Sequence, residues 1–161
     1  MNAPLVQPLP AATPATGWLL LELDDRRLAL PQRDVRQIVL AVDLKPAMAS
    51  DSREAGWFVS RHGDSWPAYS LDAALQLQQP APAGQKVCVF VEAAGQRFGL
   101  LCNRVSPLHA DADLNVETVP GCLARTHSPI VGFARVGSGL AVVIHGDALA
   151  AYLGTLREQD R

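Results

Sequence analysis

The sequence predicts an all-β chain with short helices, folded as two small pseudo-equivalent β-barrels. Three observations lead there. Two stretches seventy positions apart match without a gap, "LELDDRRLALPQRDV" at 21–35 and "VEAAGQRFGLLCNRV" at 91–105. Glu22 falls on Glu92, Arg27 on Arg97, Leu30 on Leu100 and Val35 on Val105, while Ala29 meets Gly99 and Leu28 meets Phe98. Each stretch also reads as a β-hairpin, with apolar strands around a tight polar or glycine turn. A further hairpin follows each of them. A duplicated strand-rich unit fixes the architecture, and a few short strands lose their exposed edges by closing into a barrel.

Residues 1–17, "MNAPLVQPLPAATPATG", have neither a basic n-region nor a sustained apolar stretch. They read as a flexible tail rather than a signal peptide. "WLLLEL" (18–23) and "RRLALP" (26–31) form the first hairpin around Asp24 and Asp25. "GWFVSRHGDSWPAYS" (56–70) forms the second, turning at His62, Gly63 and Asp64. A short helix is expected next: Leu71, Ala74 and Leu75 sit at i, i+3 and i+4, with Ser70 as N-cap and Asp72 in the first turn. A Pro/Gly/Gln linker occupies 76–85.

The unit then recurs. "KVCVFVEA" (86–93) and "QRFGLLC" (96–102) turn at Ala94-Gly95, where Gly95 supplies the positive φ that hairpins favour. "VGFARVGSGLAVVI" (131–144) turns at Gly137, Ser138 and Gly139. With a shift of 74, Arg61 meets Arg135 and Gly63 meets Gly137, as if four residues had been inserted in the second half. Leu149, Tyr152, Leu153 and Leu156 make the apolar stripe of a closing helix. The expected division is a tail at 1–17 and one domain at 18–156. Within it, 18–75 is the first barrel half, 76–85 the linker, and 86–156 the second half with the C-terminal helix.

Composition narrows the function. Of 161 residues 48% are hydrophobic, enough for a core, and the net charge of −2 offers no electrostatic footprint for nucleic acid. No apolar run approaches the roughly 20 residues that span a bilayer, so direct membrane insertion is not expected. Cys88, Cys102 and Cys122 are odd in number and lack CxxC spacing, which speaks for reduced thiols in a cytoplasmic protein. No metal is expected, because His62, His109, His127 and His145 are scattered. Asp111 and Asp113 lack the glycine and glutamate of a calcium loop. Ser60, Ser65 and Ser128 have no evident base. Trp57, Phe58 and Trp66 read as core aromatics, with a partner-binding patch as the other possibility. With no catalytic or cofactor-binding motif in view, the chain reads as a binding module, without cofactor and not an enzyme.

Five segments in order resemble the CheW-like domain family: "LPQRDVRQIV" (30–39), "GWFVSR" (56–61), "WPAYSL" (66–71), "FGLLCNRV" (98–105) and "IVGFARVGSGLAVVIHGDAL" (130–149). The likeness spans about Trp18 to Leu153. It implies two five-stranded SH3-like barrels and a non-enzymatic adaptor of a bacterial chemosensory complex. Such an adaptor couples the cytoplasmic tip of a chemoreceptor to the regulatory domain of a CheA-type histidine kinase, and it associates with the membrane through receptor arrays. Carried over by position, the partner-binding residues are Val35, Gln37, Gly56, Arg61 and Val105, the last near the groove between the barrels. The chain departs from the pattern where Gln37 replaces Glu, Val59 replaces Asn, His62 is inserted before Gly63, and Asn103 replaces Asp. These changes imply a diverged adaptor in an accessory pathway. The alternative is a module of the same fold in another assembly, for pilus control or polar localisation, without kinase coupling.

Overall fold

A computed structural model describes residues 17–47, 53–108, 114–122 and 128–158. The tail expected at 1–17 therefore lies outside the described residues except for Gly17, as do His109, Asp111, Asp113 and His127. Among the described residues there are twelve strands: β1 (Trp18–Leu23), β2 (Arg26–Pro31), β3 (Val35–Leu40), β4 (Lys45–Pro46), β5 (Gly56–Val59), β6 (Ser65–Ser70), β7 (Val87–Ala93), β8 (Gln96–Cys102), β9 (Arg104–Leu108), β10 (Val116–Thr118), β11 (Ile130–Val136) and β12 (Gly139–Ile144). Among the described residues one α-helix, α1 (Gly146–Glu158), follows β12.

The strands form two curled six-stranded sheets, in the order β10-β11-β12-β2-β1-β9 and β3-β7-β8-β6-β5-β4. The sixth strand of each, beyond the five expected, is the two- or three-residue edge β4 or β10. Element by element the two orders are equivalent, β1-β2 standing where β7-β8 stands and β3 where β9 stands. Each sheet, however, draws on both halves of the chain. Hairpin β1-β2 completes the sheet of β9 to β12, and hairpin β7-β8 completes that of β3 to β6. Parallel pairings make the joins, Leu28 with Val142 and Ala68 with Gly99.

Exchange explains why β1 is apolar at nearly every position. Leu19, Leu21 and Leu23 enter a central core between the sheets, whereas Leu20 faces a smaller cluster with Ala29, Ala134, Ala141 and Val143. A strand buried on both faces loses the alternation of a half-exposed one. Leu28 and Phe98 hold equivalent core positions, at 2% and 1% exposure, opposite Leu21 and Val91. The repeat at offset 70 is thus real in three dimensions. Turn geometry agrees, with Asp24 at φ 47° and Ala94 and Gly95 at 51° and 72°.

Two local expectations are corrected. No helix forms at 71–75. Ser70 ends β6, buried, and its hydroxyl is 2.5 Å from Gln85 Oε1. Asp72 is the capping residue instead: its Oδ1 accepts the N–H groups of Ala74 and Gln76, and Leu75 turns the chain back at φ 62°. A carboxylate that takes two nearby N–H groups favours a turn over a helix. In addition, Arg135 does not occupy the turn equivalent to that of Arg61. It lies in β11 opposite Leu140, since the β5-β6 hairpin has a longer loop than the two-residue Gly137-Ser138 turn. The true counterpart of Gly56 is Gly132. Both pack beneath an edge strand, where an added Cβ would meet the Lys45 carbonyl at 2.9 Å or that of Glu117 at 2.5 Å.

Helix α1 runs from Asp34, whose Oδ2 accepts the Gly146 N–H at 3.0 Å, toward the turn after β6. Leu149, Ala150 and Leu153 enter the central core, and the Tyr152 hydroxyl donates to the Leu75 carbonyl at 2.6 Å. Glutamines fix the segment expected to be a linker. Gln76 donates to Tyr152, Gln78 to Ser70 and the Leu71 carbonyl, and Gln79 to the Glu54 carbonyl.

Candidate functional site

Where the sheets come together, β3 and β9 are end strands, each paired on one side alone, to β7 and β1. Between them runs an apolar groove of about 530 Å³. Ile38 and Leu40 of β3 form one wall, Val105 and Pro107 of β9 the other, and Leu19 and Val87 contribute from the neighbouring strands. Ile38 and Leu40 are 48% and 56% exposed, and Val42 just beyond is 86% exposed. Water at large apolar side chains is unfavourable, so a contiguous patch of them marks a contact surface. Asn103 and Arg104 supply the polar end. Asn103 is itself committed to the fold, its N–H donating to the Glu22 carbonyl at 2.7 Å and its Oδ1 accepting from Asp24 at 3.0 Å.

A row of charges crosses the other face of β3 and β7. Arg36 lies 3.4 Å from Glu92, Arg97 lies 3.7 Å from Glu92 and 3.6 Å from Asp64, and the Arg97 guanidinium sits 5.1 Å over the Trp66 ring. Exposed pairs of this kind contribute about 0–1 kcal/mol each. One of them, Arg97 with Asp64, ties the loop that carries Arg61 to β8. Ser60 holds the same loop from inside, its Oγ accepting the N–H groups of His62 and Asp64. Arg61 itself is exposed at the loop's tip.

The expected contact residues therefore fall into separate settings. Val35 and Val105 are half-buried and equivalent, opposite Val91 and Leu21, and Val105 lines the groove. Gln37 is exposed on β3 beside a register shift. Gly56 is buried under β4, and Arg61 stands apart on its loop. Sequence reasoning missed Ile38, Leu40 and Val42. The available signal was the unbroken apolar run "IVLAV", in which Val39 and Ala41 pack on one core cluster while Ile38, Leu40 and Val42 stay exposed.

Other chemistry is accounted for by structure. Burial pushes the thiols of Cys88 and Cys102 up, Cys102 to about 12, aided at Cys88 by the neighbouring Cys102 and at Cys102 by the Glu22 charge. Such thiols are poor nucleophiles. Ser60 and Ser128 spend their hydroxyl oxygens on backbone N–H groups of their own turns. Trp66 and Phe58 pack against Phe90, at centroid separations of 5.7 Å and 5.2 Å. Among the described residues no three His, Cys, Asp or Glu side chains gather to hold a metal, and no helix is long and apolar enough to cross a membrane.

Comparison with known proteins bears on this arrangement. A model of the CheW-like domain matches residues 17–153. No curated protein matches the chain. Among solved structures it is similar to the scaffolding protein TtCheW from Thermoanaerobacter tengcongensis, with 18% sequence identity, a TM-score of 0.60, and coverage of 80% of this chain and 87% of that one.

Proposed function

The chain belongs to the CheW-like domain family, and from that premise we propose that it is a non-enzymatic adaptor of a bacterial chemosensory complex. In this reading it links a chemoreceptor's cytoplasmic tip to the regulatory domain of a CheA-type histidine kinase, in the cytoplasm and at receptor arrays. The observation that carries the proposal is the open apolar groove between two end strands, one from each sheet. A preformed groove with exposed Ile38 and Leu40 suits an apolar stripe on a partner. Val35, Gln37 and Val105 would contact partners along and beside this groove. Arg61 would contribute a second contact on the ordered loop, and Gly56 would keep β4 close beneath that surface. No cofactor or metal enters the proposal.

Calorimetric titration of the full chain against a kinase regulatory domain and a receptor-tip fragment tests it. Saturable binding to both is the expected result, with Val105→Asp weakening at least one. A folded chain that binds neither would overturn the coupling role. It would favour the alternative, a module of the same fold in another assembly such as pilus control or polar localisation. Gln37, uncharged where the family usually carries Glu, is the feature that points that way.

A further inference from the structure

The groove has an occupant of suitable chemistry within the chain itself. Residues 1–16 lie outside the described residues and join the fold at Gly17, immediately before β1. Leu19, two residues further on, lines the groove, as does Pro107, its partner on β9. Two residues of strand cover about 7 Å, and sixteen extended residues reach about 50 Å. Reach is therefore no obstacle.

Composition matches the groove. Residues 1–16 contain no charged side chain, and "PLVQPLP" at 4–10 carries Leu5, Val6 and Leu9 between prolines. Proline fixes φ in the undocked chain, so less conformational freedom is lost on docking. It also lacks the N–H needed to extend a sheet ladder, so such a segment would cover the free edges of β3 and β9 without continuing the sheet. The apolar face it would cover, Ile38 and Leu40, is exposed among the described residues.

We propose that residues 4–10 occupy the groove between β3 and β9 of their own chain and compete there with an incoming partner. The competition rests on the adaptor reading above; the docking does not.

Backbone amide spectra of the full-length chain, compared with a Leu5→Asp, Val6→Asp, Leu9→Asp variant, test the docking. The expected result is a set of shifts confined to Ile38, Leu40, Val105 and their neighbours, reversed saturably when a peptide of residues 1–16 is added to the variant. Unchanged amides at those positions would overturn the proposal. So would shifts that depend on protein concentration with a dimer in sedimentation, because the segment would then seat on a second copy. Binding of a receptor-tip fragment should tighten about threefold or more in the variant, since an occupied site lowers apparent affinity by its vacant fraction. If the spectra respond and this affinity does not, docking stands and the groove's role in coupling falls.

Discussion

Phe90 of β7 lies directly across from Gly99 of β8, and its ring fills the space a side chain at Gly99 would need. An added Cβ would meet Phe90 Cε1 at 2.6 Å and Cys88 Sγ at 2.7 Å. In the equivalent hairpin Leu20 lies across from Ala29. One hairpin pairs a large residue with glycine, and the other pairs a medium one with alanine. Gly99→Ala should therefore destabilise by about 1–3 kcal/mol, the usual cost of overpacking a core. Adding Phe90→Leu should recover part of that loss by reproducing the first hairpin's combination. Urea midpoints of the four members of the cycle check it, and strictly additive losses would refute the shared-volume account.

Asp34 fixes the start of the closing helix from a distant part of the chain. Asp34→Ala should cost about 1 kcal/mol, as loss of a capping carboxylate does. Gly146→Ala should cost at least as much, because the new methyl would lie 2.8 Å from Ala93 Cβ and 2.9 Å from Asp34 Oδ2. Thermal unfolding of both variants reads this directly.

Cysteine chemistry separates the three thiols. Cys122 is exposed and should react with a maleimide at neutral pH, while Cys88 and Cys102 should react only on unfolding. Both buried thiols have folded pKa values raised above the ordinary 9.0. Their contribution to stability is then fully present below about pH 9, where both states hold the proton. Above it the unfolded chain loses protons first, so stability falls as pH rises toward 12. Tyr152, raised mainly by burial and next by the Asp72 charge, adds a loss of the same sign. Denaturant titrations under reducing conditions across this range should show the decline, and Cys102→Ala should flatten part of it.

Arg61 and Arg135 give a functional contrast. Both are exposed, yet Arg61 tips an ordered loop and Arg135 lies along β11 in the other sheet. Arg61→Ala should leave the melting temperature unchanged and weaken partner binding by about 1–3 kcal/mol. Arg135→Ala should weaken it less. Equal, negligible losses in calorimetry would make Arg61 a solvated loop residue.

Hairpins, the repeat at offset 70 and the closing helix were legible because each rests on local pattern: turn residues, strand residues and the helical spacing of Leu149 and Leu153. The offset of 74 was not. It aligned Arg61 with Arg135 by identity, whereas the hairpin ladders align Gly56 with Gly132 and absorb the difference in the loop. Leu71, Ala74 and Leu75 fit helical spacing over too few residues to outweigh Asp72, which holds two N–H groups in a turn. Exchange of hairpins was not legible: the apolar run of β1 marks a strand buried on both faces but not its neighbour, because Leu28 pairs with Val142 through backbone groups that every residue carries. Of the candidate site, Val105 was reached through the family resemblance, and Ile38 and Leu40 were not reached, since nothing in the apolar run told the exposed face of β3 from a buried one.

The exchange of hairpins also sets a condition on how the molecule is made. Residues 18–31 are synthesised well before β12, yet their sheet needs that strand. The early hairpin must wait, with its leucine-rich face uncovered, while more than a hundred further residues are added. Long-range pairings of this kind pay their loop-closure entropy before any contact rewards them, and they slow folding. A chain severed between β6 and β7 would yield two pieces that each lack a hairpin of one sheet and hold the missing hairpin of the other. Such pieces should aggregate or stay unfolded alone and fold when mixed, making the two repeats partners in assembly rather than independent beads on one string.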